Sequence, residues 1–318
     1  MNPVIQITEK SKPLSGETAL TVGKFDGVHT GHQRLLDAVL AEKKNGYLAC
    51  MVSFCAGQED GRSVIYTKEE QRRLCGTFGI DVLAEYTLNE ALRGLSAERF
   101  VKEILCEKLN VKVIVTGEDF RFGKGREGNV EFLRSLEKTY GYRTVCIPKV
   151  ENEGVRISST KIKEFLSAGN MEEANAFLGS PYFIYAEVVH GKHLGRTIGF
   201  PTINVLPSAE KLLPAYGVYA TQTEIGGTWY SGITNVGVRP TVDSGDAVSV
   251  ETHLLGYEGE LYGTKLETRF LRFLRPEQKF ESVEALKDAI QKDMKEVLKH
   301  SQRIERDIRG GQAWEYRC

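Results

Sequence analysis

The sequence predicts two domains in series: an α/β domain on a parallel sheet, then a small antiparallel β-barrel with a C-terminal helix. Three observations predict it. The chain has 318 residues, more than one typical domain holds. From residue 18 to about 160, strand-like apolar runs alternate with helical patterns. From 183 to 274 the texture changes to short β-rich runs separated by Gly, Pro, Asn and Asp, the signature of a small barrel.

Each element follows from its local pattern. TALTV (18–22) reads as a short buried strand, and Leu35, Leu36, Val39 and Leu40 then fall at helical spacing within residues 33–45. The same alternation pairs YLACMVSF with KEEQRRLCGTF, DVLAEYT with SAERFVKEILCEKLN, and VKVIVTG with NVEFLRSLEKTYG, and it ends on YRTVCIPKV. Strands alternating with helices in this rhythm imply a parallel sheet covered on both faces. After SSTKIKEFLSAGNMEEANAFLGSPYF come FIYAEVVHG, GVYATQTEI, TWYSGITNVG, VSVETHLLG and KLETRFLRFL, with little helical periodicity. The boundary is placed at Pro181, giving domains 1–180 and 181–318. Residues 281–309 return to a helical pattern that stops at Gly310 and Gly311.

Composition narrows the function class. Hydrophobic residues make up 41% and charged residues 27%, as in chains with real cores, and the formal net charge is -1. Such a balance gives no reason to expect nucleic acid or an anionic membrane as the main partner. The six cysteines are scattered without a CxxC pair or metal-ligand spacing, so neither a disulfide scaffold nor a zinc site is expected, and a reducing cytoplasm fits best. No run of about 18 apolar residues is present to span a membrane, and the N-terminal stretch lacks the apolar core of a signal peptide.

The chemistry concentrates in a few motifs. GKFDGVHTGH (23–32) places Gly23, Phe25, Asp26, Gly27, His29, Gly31 and His32 at a strand-to-helix turn. Turns at the carboxyl ends of strands are where open α/β sheets bind ligands, and the following helix offers unpaired N–H groups to an anion. Glycine allows close backbone approach, and two histidines three residues apart can both reach one phosphate as donors or as protonated imidazoles. A single histidine here would read as a loop or helix cap; the whole constellation reads as a phosphate site.

GEDFRFGKGREG (117–128) follows the VKVIVT strand and so occupies a second carboxyl-end turn of the same sheet. Its Arg121, Lys124 and Arg126 suit a nucleotide, although alone it would read as a flexible charged loop, and it lacks the GxxxxGK[ST] spacing of a P-loop. RISSTKIKEFL (156–166) opens a helix with Ser158, Ser159 and Thr160 among Arg156, Lys161 and Lys163, where one hydroxyl caps the helix and the cations suit a triphosphate. In the second domain GRTIGFPTIN (195–204) begins at Gly195 and sets Thr202 and Asn204 two residues apart, on one face of a strand, where both oxygens can reach a hard cation such as Mg²⁺. Its bland reading is a bulged edge strand. VETHLL puts Glu251 in an apolar β run, either solvated or serving as a base toward a hydroxyl.

Taken together, these motifs resemble the bacterial bifunctional riboflavin kinase/FAD synthetase family over nearly the whole length and in the family's order, with LGSPY, VVHGKHLGRTIGFPTIN, LPAYGVYA, NVGVRPT and FLRPEQKF among the matches. The resemblance implies an N-terminal α/β nucleotidyltransferase domain of Rossmann-like fold that adenylylates FMN and a C-terminal six-stranded barrel that phosphorylates riboflavin. It implies riboflavin, FMN and ATP as substrates, with Mg²⁺. It also implies that His29 and His32 bind ATP phosphates at the reacting α-phosphorus, with Gly23, Phe25, Asp26, Gly27, Asp119, Arg156, Ser158, Ser159 and Thr160 completing that ATP site. In the kinase half, Gly195, Thr202 and Asn204 would bind ATP phosphates, Thr202 and Asn204 also the metal, and Glu251 would accept the proton of the ribityl 5′-hydroxyl.

Two departures concern the first half. SFCAGQED (53–60) lacks the prolines and histidine of the family's F-x-P-H-P segment, and Lys163 stands where the family has arginine, keeping charge without bidentate geometry. In the second half, Ala186 stands for a family glycine and GKHLG lacks the usual aspartate. These departures leave an alternative open: a riboflavin kinase whose adenylyltransferase half is weakened or inactive. A flavin-binding regulator without turnover, and a cytidylyltransferase or another adenylyltransferase with a different acceptor, are the remaining readings. The barrel motifs leave the last little room.

Overall fold

The computed structural model describes residues 3–309 apart from 56–62, 150, 153, 192–194, 196–197 and 240–246. Within these, residues 3–55 and 68–158 form one compact unit, and 63–67 with 159–309 form a second.

The first unit is a six-stranded, wholly parallel sheet in the order β1-β4-β3-β2-β5-β6. Its strands are β1 (Ile5–Ile7), β2 (Thr18–Gly23), β3 (Leu48–Cys55), β4 (Val82–Thr87), β5 (Val111–Gly117) and β6 (Arg143–Ile147). The central strands are buried on both faces, which is why they read as near-continuous apolar runs. Period two splits them between two cores. Leu20, Val22, Cys50, Val52, Val82, Ala84 and Ile114 enter one, and Ala19, Ala49, Met51, Leu83, Val113 and Val115 the other. Helices α1 (Thr30–Ala41) and α2 (Lys68–Phe78) supply Leu36, Val39 and Cys75 to the second core. Helix α5 (Val130–Tyr140) supplies Leu133 to the first. The sheet is therefore covered on both sides, as the alternation predicts.

Between β4 and β5 lie two short helices, α3 (Glu90–Arg93) and α4 (Ala97–Arg99), and α4 runs directly into a π-helical segment, Phe100–Lys108. Phe100, Val101, Leu105 and Leu109 line its buried side, and the Leu109 N–H reaches back five residues to the Ile104 carbonyl at 3.1 Å.

Chain direction across the sheet fixes where a ligand would sit. From β2 the chain steps outward through β3 to β4, then crosses back to place β5 on the opposite side of β2. The crevice outside the carboxyl ends of β2 and β5 is thus the topological switch point. GKFDGVHTGH leaves β2 there and GEDFRFGKGREG leaves β5 there, so two motifs 94 residues apart flank one crevice.

After the short hairpin β7 (Glu151–Asn152) and β8 (Val155–Arg156), the second unit opens with α6 (Ser159–Ser167) and α7 (Met171–Leu178), which pack through Phe165 and Phe177, edge to face at 5.2 Å. A closed barrel follows in the order β10-β13-β12-β11-β14-β9. Its strands are β9 (Tyr182–Val189), β10 (Thr202–Val205), β11 (Gly217–Ile225), β12 (Thr228–Arg239), β13 (Ala247–Leu254) and β14 (Lys265–Arg275), all pairing antiparallel. A row of buried hydroxyls links Thr221 to Thr234 and Thr234 to Thr252, each at 2.8 Å, and Thr223 meets Thr268 at 3.0 Å. The C-terminal helix α8 (Val283–Arg309) packs Ile290, Met294 and Val297 on Val218, Ala220 and Ile233.

Buried Lys211 ties the segment 63–67 into this second unit. Its ammonium donates to the Ile65 and Phe183 carbonyls at 2.7 and 2.8 Å and lies 4.5 and 4.4 Å from the rings of Tyr66 and Tyr182.

Two candidate active sites

At the first site the backbone itself is unusual. Phe25, Gly27 and Val28 have φ of 48, 93 and 43°. Glycine takes positive φ freely, but a β-branched valine there is strained, at a cost of about 1–3 kcal/mol. Val28 and Phe25 are both buried, and the Val28 N–H closes the turn on the Phe25 carbonyl at 3.2 Å. The turn delivers His29 to the N-cap of α1, where its Nδ1 accepts the His32 N–H at 3.3 Å. That bond leaves the proton of the neutral ring on Nε2.

The two imidazoles stack at 3.7 Å with 16° between planes, and Phe25 lies 4.9 Å from His32. Burial pushes the His29 pKa down to about 4, opposed by a backbone hydrogen bond and the nearby charge of Asp26. His32 is held well below its usual value by burial first and by His29 second. Its Nδ1 is buried and has no hydrogen-bond partner among the described residues. Of the two protonation states that the sequence leaves open, the unliganded pair is therefore neutral, and each ring offers one N–H to an anion. The negative charge of a bound triphosphate would move the balance back toward imidazolium.

Across the crevice GEDFRFGKGREG is pinned, not loose. Phe122 and Gly128 exchange backbone hydrogen bonds at 3.1 and 2.9 Å, the Lys124 N–H donates to Leu95, and the Glu127 carboxylate accepts the Ala97 N–H at 2.8 Å. Phe122 is buried in contact with Phe100, Phe120 and Phe132. Arg121, Lys124 and Arg126 remain exposed on this anchored frame. Asp119 accepts from Arg156 at 2.5 Å and pairs with Lys149 at 3.6 Å. A carboxylate repels phosphate, so in an anion site Asp119 could serve only through the two cations it gathers. Ser158 ends the first unit, and Ser159 and Thr160 open α6 directly after it. Lys163 donates to the Ser63 carbonyl at 2.6 Å.

In the barrel, register builds the second site. Thr202 lies opposite His253 and Asn204 opposite Glu251 in the β10–β13 ladder, so hydroxyl, amide, carboxylate and imidazole share one face. A Cβ on Gly191 would stand 2.4 Å from Asn204 Nδ2, so only glycine leaves room for that buried amide. His253 Nδ1 is 2.8 Å from the Pro201 carbonyl, which makes Nδ1 the protonated nitrogen, and its ring meets Phe200 edge to face.

A cavity of about 300 Å³ opens over this face. Gly195, Thr202, Glu251 and His253 line it together with Phe200, Phe280, Asn235 and Arg275. A second cavity of about 290 Å³, lined among others by Tyr257, Glu258, Leu261 and Tyr262, shares Thr202. Thr202 thus stands where the two cavities meet, and Glu251 faces only the first. Arg275 is fixed by a bidentate pair with buried Asp293 at 2.9–3.1 Å.

Comparison with known proteins decides what these sites belong to. The FAD synthetase family model matches residues 11–161 and the riboflavin kinase family model residues 178–301. The bifunctional riboflavin kinase/FMN adenylyltransferase of Pseudomonas fluorescens is 38% identical over 86% of this chain and 90% of its own length. Those of Escherichia coli K12 and Bacillus subtilis 168 are 36% and 32% identical over 86% and 91% of this chain and 90% and 94% of theirs.

The chain belongs to the bifunctional riboflavin kinase/FMN adenylyltransferase family. It carries both a nucleotidyltransferase and a kinase domain of that family, and nothing found favours a kinase-only member. A crystal structure described as a macrolide-efflux protein from Streptococcus pneumoniae matches with a TM-score of 0.82 at 28% identity, over 92% of this chain and 98% of that one. Efflux is said of that protein alone; among the described residues here, no helix is long and apolar enough to cross a membrane.

Within this family member, the departing segment SFCAGQED ends β3 with Ser53, Phe54 and Cys55, and its remaining five residues lie outside the described ones. The same holds for Lys192, His193 and Leu194 of GKHLG. Sequence reasoning missed His253, which differs from a core histidine by nothing local and is placed only by pairing with Thr202. It also missed Lys149 and the polar groups beneath the histidine turn. A serine two residues from the end of an apolar strand was the one available signal for the latter.

Proposed function

We propose that this chain makes FAD from riboflavin in two ATP-dependent steps, with the residue roles that follow. The observation that carries the reading is that Thr202 lines both barrel cavities while Glu251 lines one. Phosphoryl transfer needs an acceptor held beside a base and a donor held apart, with the moving group between them. Riboflavin occupies the cavity of Glu251, Phe200 and Phe280, and ATP the cavity of Tyr257 and Tyr262. The ribityl 5′-oxygen attacks the γ-phosphorus, Glu251 takes its proton, and ADP leaves. Gly195 lines the Glu251 cavity, where it would approach the phosphates from the side of the attacking hydroxyl. Thr202 and Asn204 present a hydroxyl and an amide oxygen beside the Glu251 carboxylate, a hard oxygen set that fits Mg²⁺, which would neutralise phosphate charge there.

In the first unit, a phosphate oxygen of FMN attacks the α-phosphorus of ATP, the bond to the β-phosphate oxygen breaks, and pyrophosphate leaves. His29 and His32 donate N–H groups to the charge that builds on the α-phosphate. Gly23, Phe25, Asp26 and Gly27 shape the turn around it, and Arg156, held by Asp119, together with Ser158, Ser159 and Thr160 binds the rest of the triphosphate. No covalent intermediate is required. We assign adenylylation to residues 1–180 and phosphorylation to 181–318. The five cysteines among the described residues are free, which suits the cytoplasm.

Chromatographic separation of flavins after incubation with ATP, Mg²⁺ and either riboflavin or FMN tests this. FAD from FMN that is abolished in His29→Ala but survives in Glu251→Ala supports both sites. FMN from riboflavin with no FAD from either substrate would leave a kinase with an idle first domain.

A further inference from the structure

The strained turn before His29 is held from three directions. The Gln33 side chain, on the first turn of α1, donates through Nε2 to the Val28 carbonyl at 3.0 Å. Ser53, fully buried on β3, donates to the Lys24 carbonyl at 3.3 Å. Gln71, buried on α2, donates through Nε2 to the Phe25 carbonyl at 3.5 Å, and its Oε1, 3.3 Å from Ser53 Oγ, shares the single hydroxyl proton of Ser53 with the Lys24 carbonyl. Three carbonyls of one five-residue turn, those of 24, 25 and 28, are thus bound by side chains from three different elements.

Nothing in sheet packing calls for this. Ser53 and Gln71 are buried, and a buried polar group is destabilising unless bonded. Backbone strain persists only where its surroundings over-determine it. Relaxed to ordinary φ, Phe25 and Val28 would change the direction in which the chain enters α1. The His29 cap, the His29–His32 stack and the Phe25 contact with His32 all depend on that entry.

We infer that Gln33, seconded by Ser53 and Gln71, is a positioning residue for adenylyl transfer, holding the 24–28 turn in the strained form that sets the two histidines against the α-phosphate. This rests on the reading of His29 and His32 as the adenylylation pair. Gln33 itself need not touch ATP; it acts through the Val28 carbonyl.

The test uses full-length protein and the variants Gln33→Met, Gln71→Met, Gln33→Lys and Val28→Gly, with the double variant Val28→Gly/Gln33→Met. Methionine keeps length and helix propensity and removes the donor; lysine keeps a donor of similar reach. In Gln33→Met, kcat for FAD formation from FMN should fall about tenfold or more with little change in the KM for ATP, since a misplaced catalytic group lowers rate sooner than binding. Riboflavin phosphorylation by the same molecules should stay at the parent rate. Gln71→Met should show the same pattern more weakly, and Gln33→Lys should recover most of the loss.

Two readouts separate positioning from bulk stability. Histidine-ring NMR of unliganded Gln33→Met should show the His29 titration rising from about 4 toward the ordinary 6.5 as the pair opens to water, with His32 and Asp26 as its titrating neighbours. On a Val28→Gly background, where positive φ carries no strain, removing Gln33 should cost several-fold less than in the parent. Parent rates and titration in Gln33→Met overturn the inference, as do equal losses of FAD and FMN formation or an equal loss on both backgrounds. A parent protein that makes no FAD from FMN at all would instead overturn the reading on which it rests.

Discussion

At the switch point of the parallel sheet, the proposed adenylylation pair, His29 and His32, is set by one turn, residues 24–29, whose φ angles oppose the preferences of two of its side chains. In the barrel the proposed groups come from two strands, where the ladder alone sets Asn204 against Glu251 and Thr202 against His253. The first arrangement depends on a local conformation that other residues must hold. The second depends on register, which many hydrogen bonds share and which a single substitution rarely shifts. Charge is handled differently as well. The histidines are neutral and nearly dry, and the barrel face carries a carboxylate open to a cavity.

The sharpest way to break the comparison is to change one side chain in each site without touching its scaffold. Glu251→Gln keeps the strand pair and the volume and removes the base, so riboflavin phosphorylation should fall about a thousandfold, within the range for a lost general base, with the melting temperature held within a degree or two. FAD formation from FMN should be unaffected. His29→Asn is the counterpart in the first unit. Asparagine caps helices well, so α1 should persist while adenylylation falls about a hundredfold, the scale for one lost donor to developing charge. If His29→Asn unfolds the first unit, the histidine matters to the scaffold as much as to the chemistry, and the contrast between the sites weakens.

Acid should separate the two units next. The folded-state pKa of His29 is lowered to about 4 from 6.5, so below pH 6.5 the unfolded chain binds a proton that the folded chain refuses. Stability from this group is complete above pH 6.5 and is lost as pH falls from 6.5 toward 4, by about 3 kcal/mol at most. His32 adds a loss of the same sign. Thermal unfolding followed between pH 7 and 4.5 should show a transition that moves down in the parent and moves less in His29→Asn. The barrel, with no such buried histidine pair among its described residues, should provide a transition that stays nearly fixed over the same range. Equal movement of both would mean that the histidines titrate normally.

How much of this was legible beforehand follows from which interactions are local. Both glycine-rich motifs could be read because glycine, histidine and arginine are informative at short range, and the βα rhythm then places both at carboxyl ends. The strain could not be read, since Val28 at φ 43° contradicts its own propensity and is explained only by Gln33 and by partners 18 or more residues away from one another, on β3 and α2. SAERFVKEILCEKLN was legible as a helix but not as a π-helix, because apolar residues four and five apart suit either winding. Glu251 stood out only as a carboxylate in an apolar run. Its pairing with Asn204, 47 residues earlier, is a property of the barrel and of no segment within it. The anchoring of GEDFRFGKGREG by Glu127 on Ala97, and the burial of Lys211 among aromatic rings, were hidden for the same reason.

The barrel's reliance on shared bonds has its own measure in the hydroxyl row. Thr234 stands in the middle, bonded to Thr221 on one side and Thr252 on the other, all three fully buried. Thr234→Val keeps the shape and strips both neighbours of a partner, so the second unit should lose about 1–3 kcal/mol, with the kinase rate at 25 °C unchanged. A kinase rate that falls with it would show register in the barrel to be as easily disturbed as the turn.

Smaller still is the effect expected at Asp119. Its pair with Arg156 is half-exposed on both sides and its contact with Lys149 is long, so Asp119→Asn should change stability by less than about 1 kcal/mol. Function should move in a direction that a simple anion ligand would not give. Neutralising a carboxylate beside a triphosphate raises the local positive potential, and by itself tightens ATP; releasing Arg156 and Lys149 from their common anchor loosens it. If Asp119 serves by orienting the two cations, the KM for ATP in FAD formation should rise several-fold despite the more positive site, and added salt should weaken the variant more than the parent, because unanchored cations hold phosphate by screened charge alone. A KM that falls would make Asp119 a bystander in this crevice, and would leave the first site resting on its turn and its histidines.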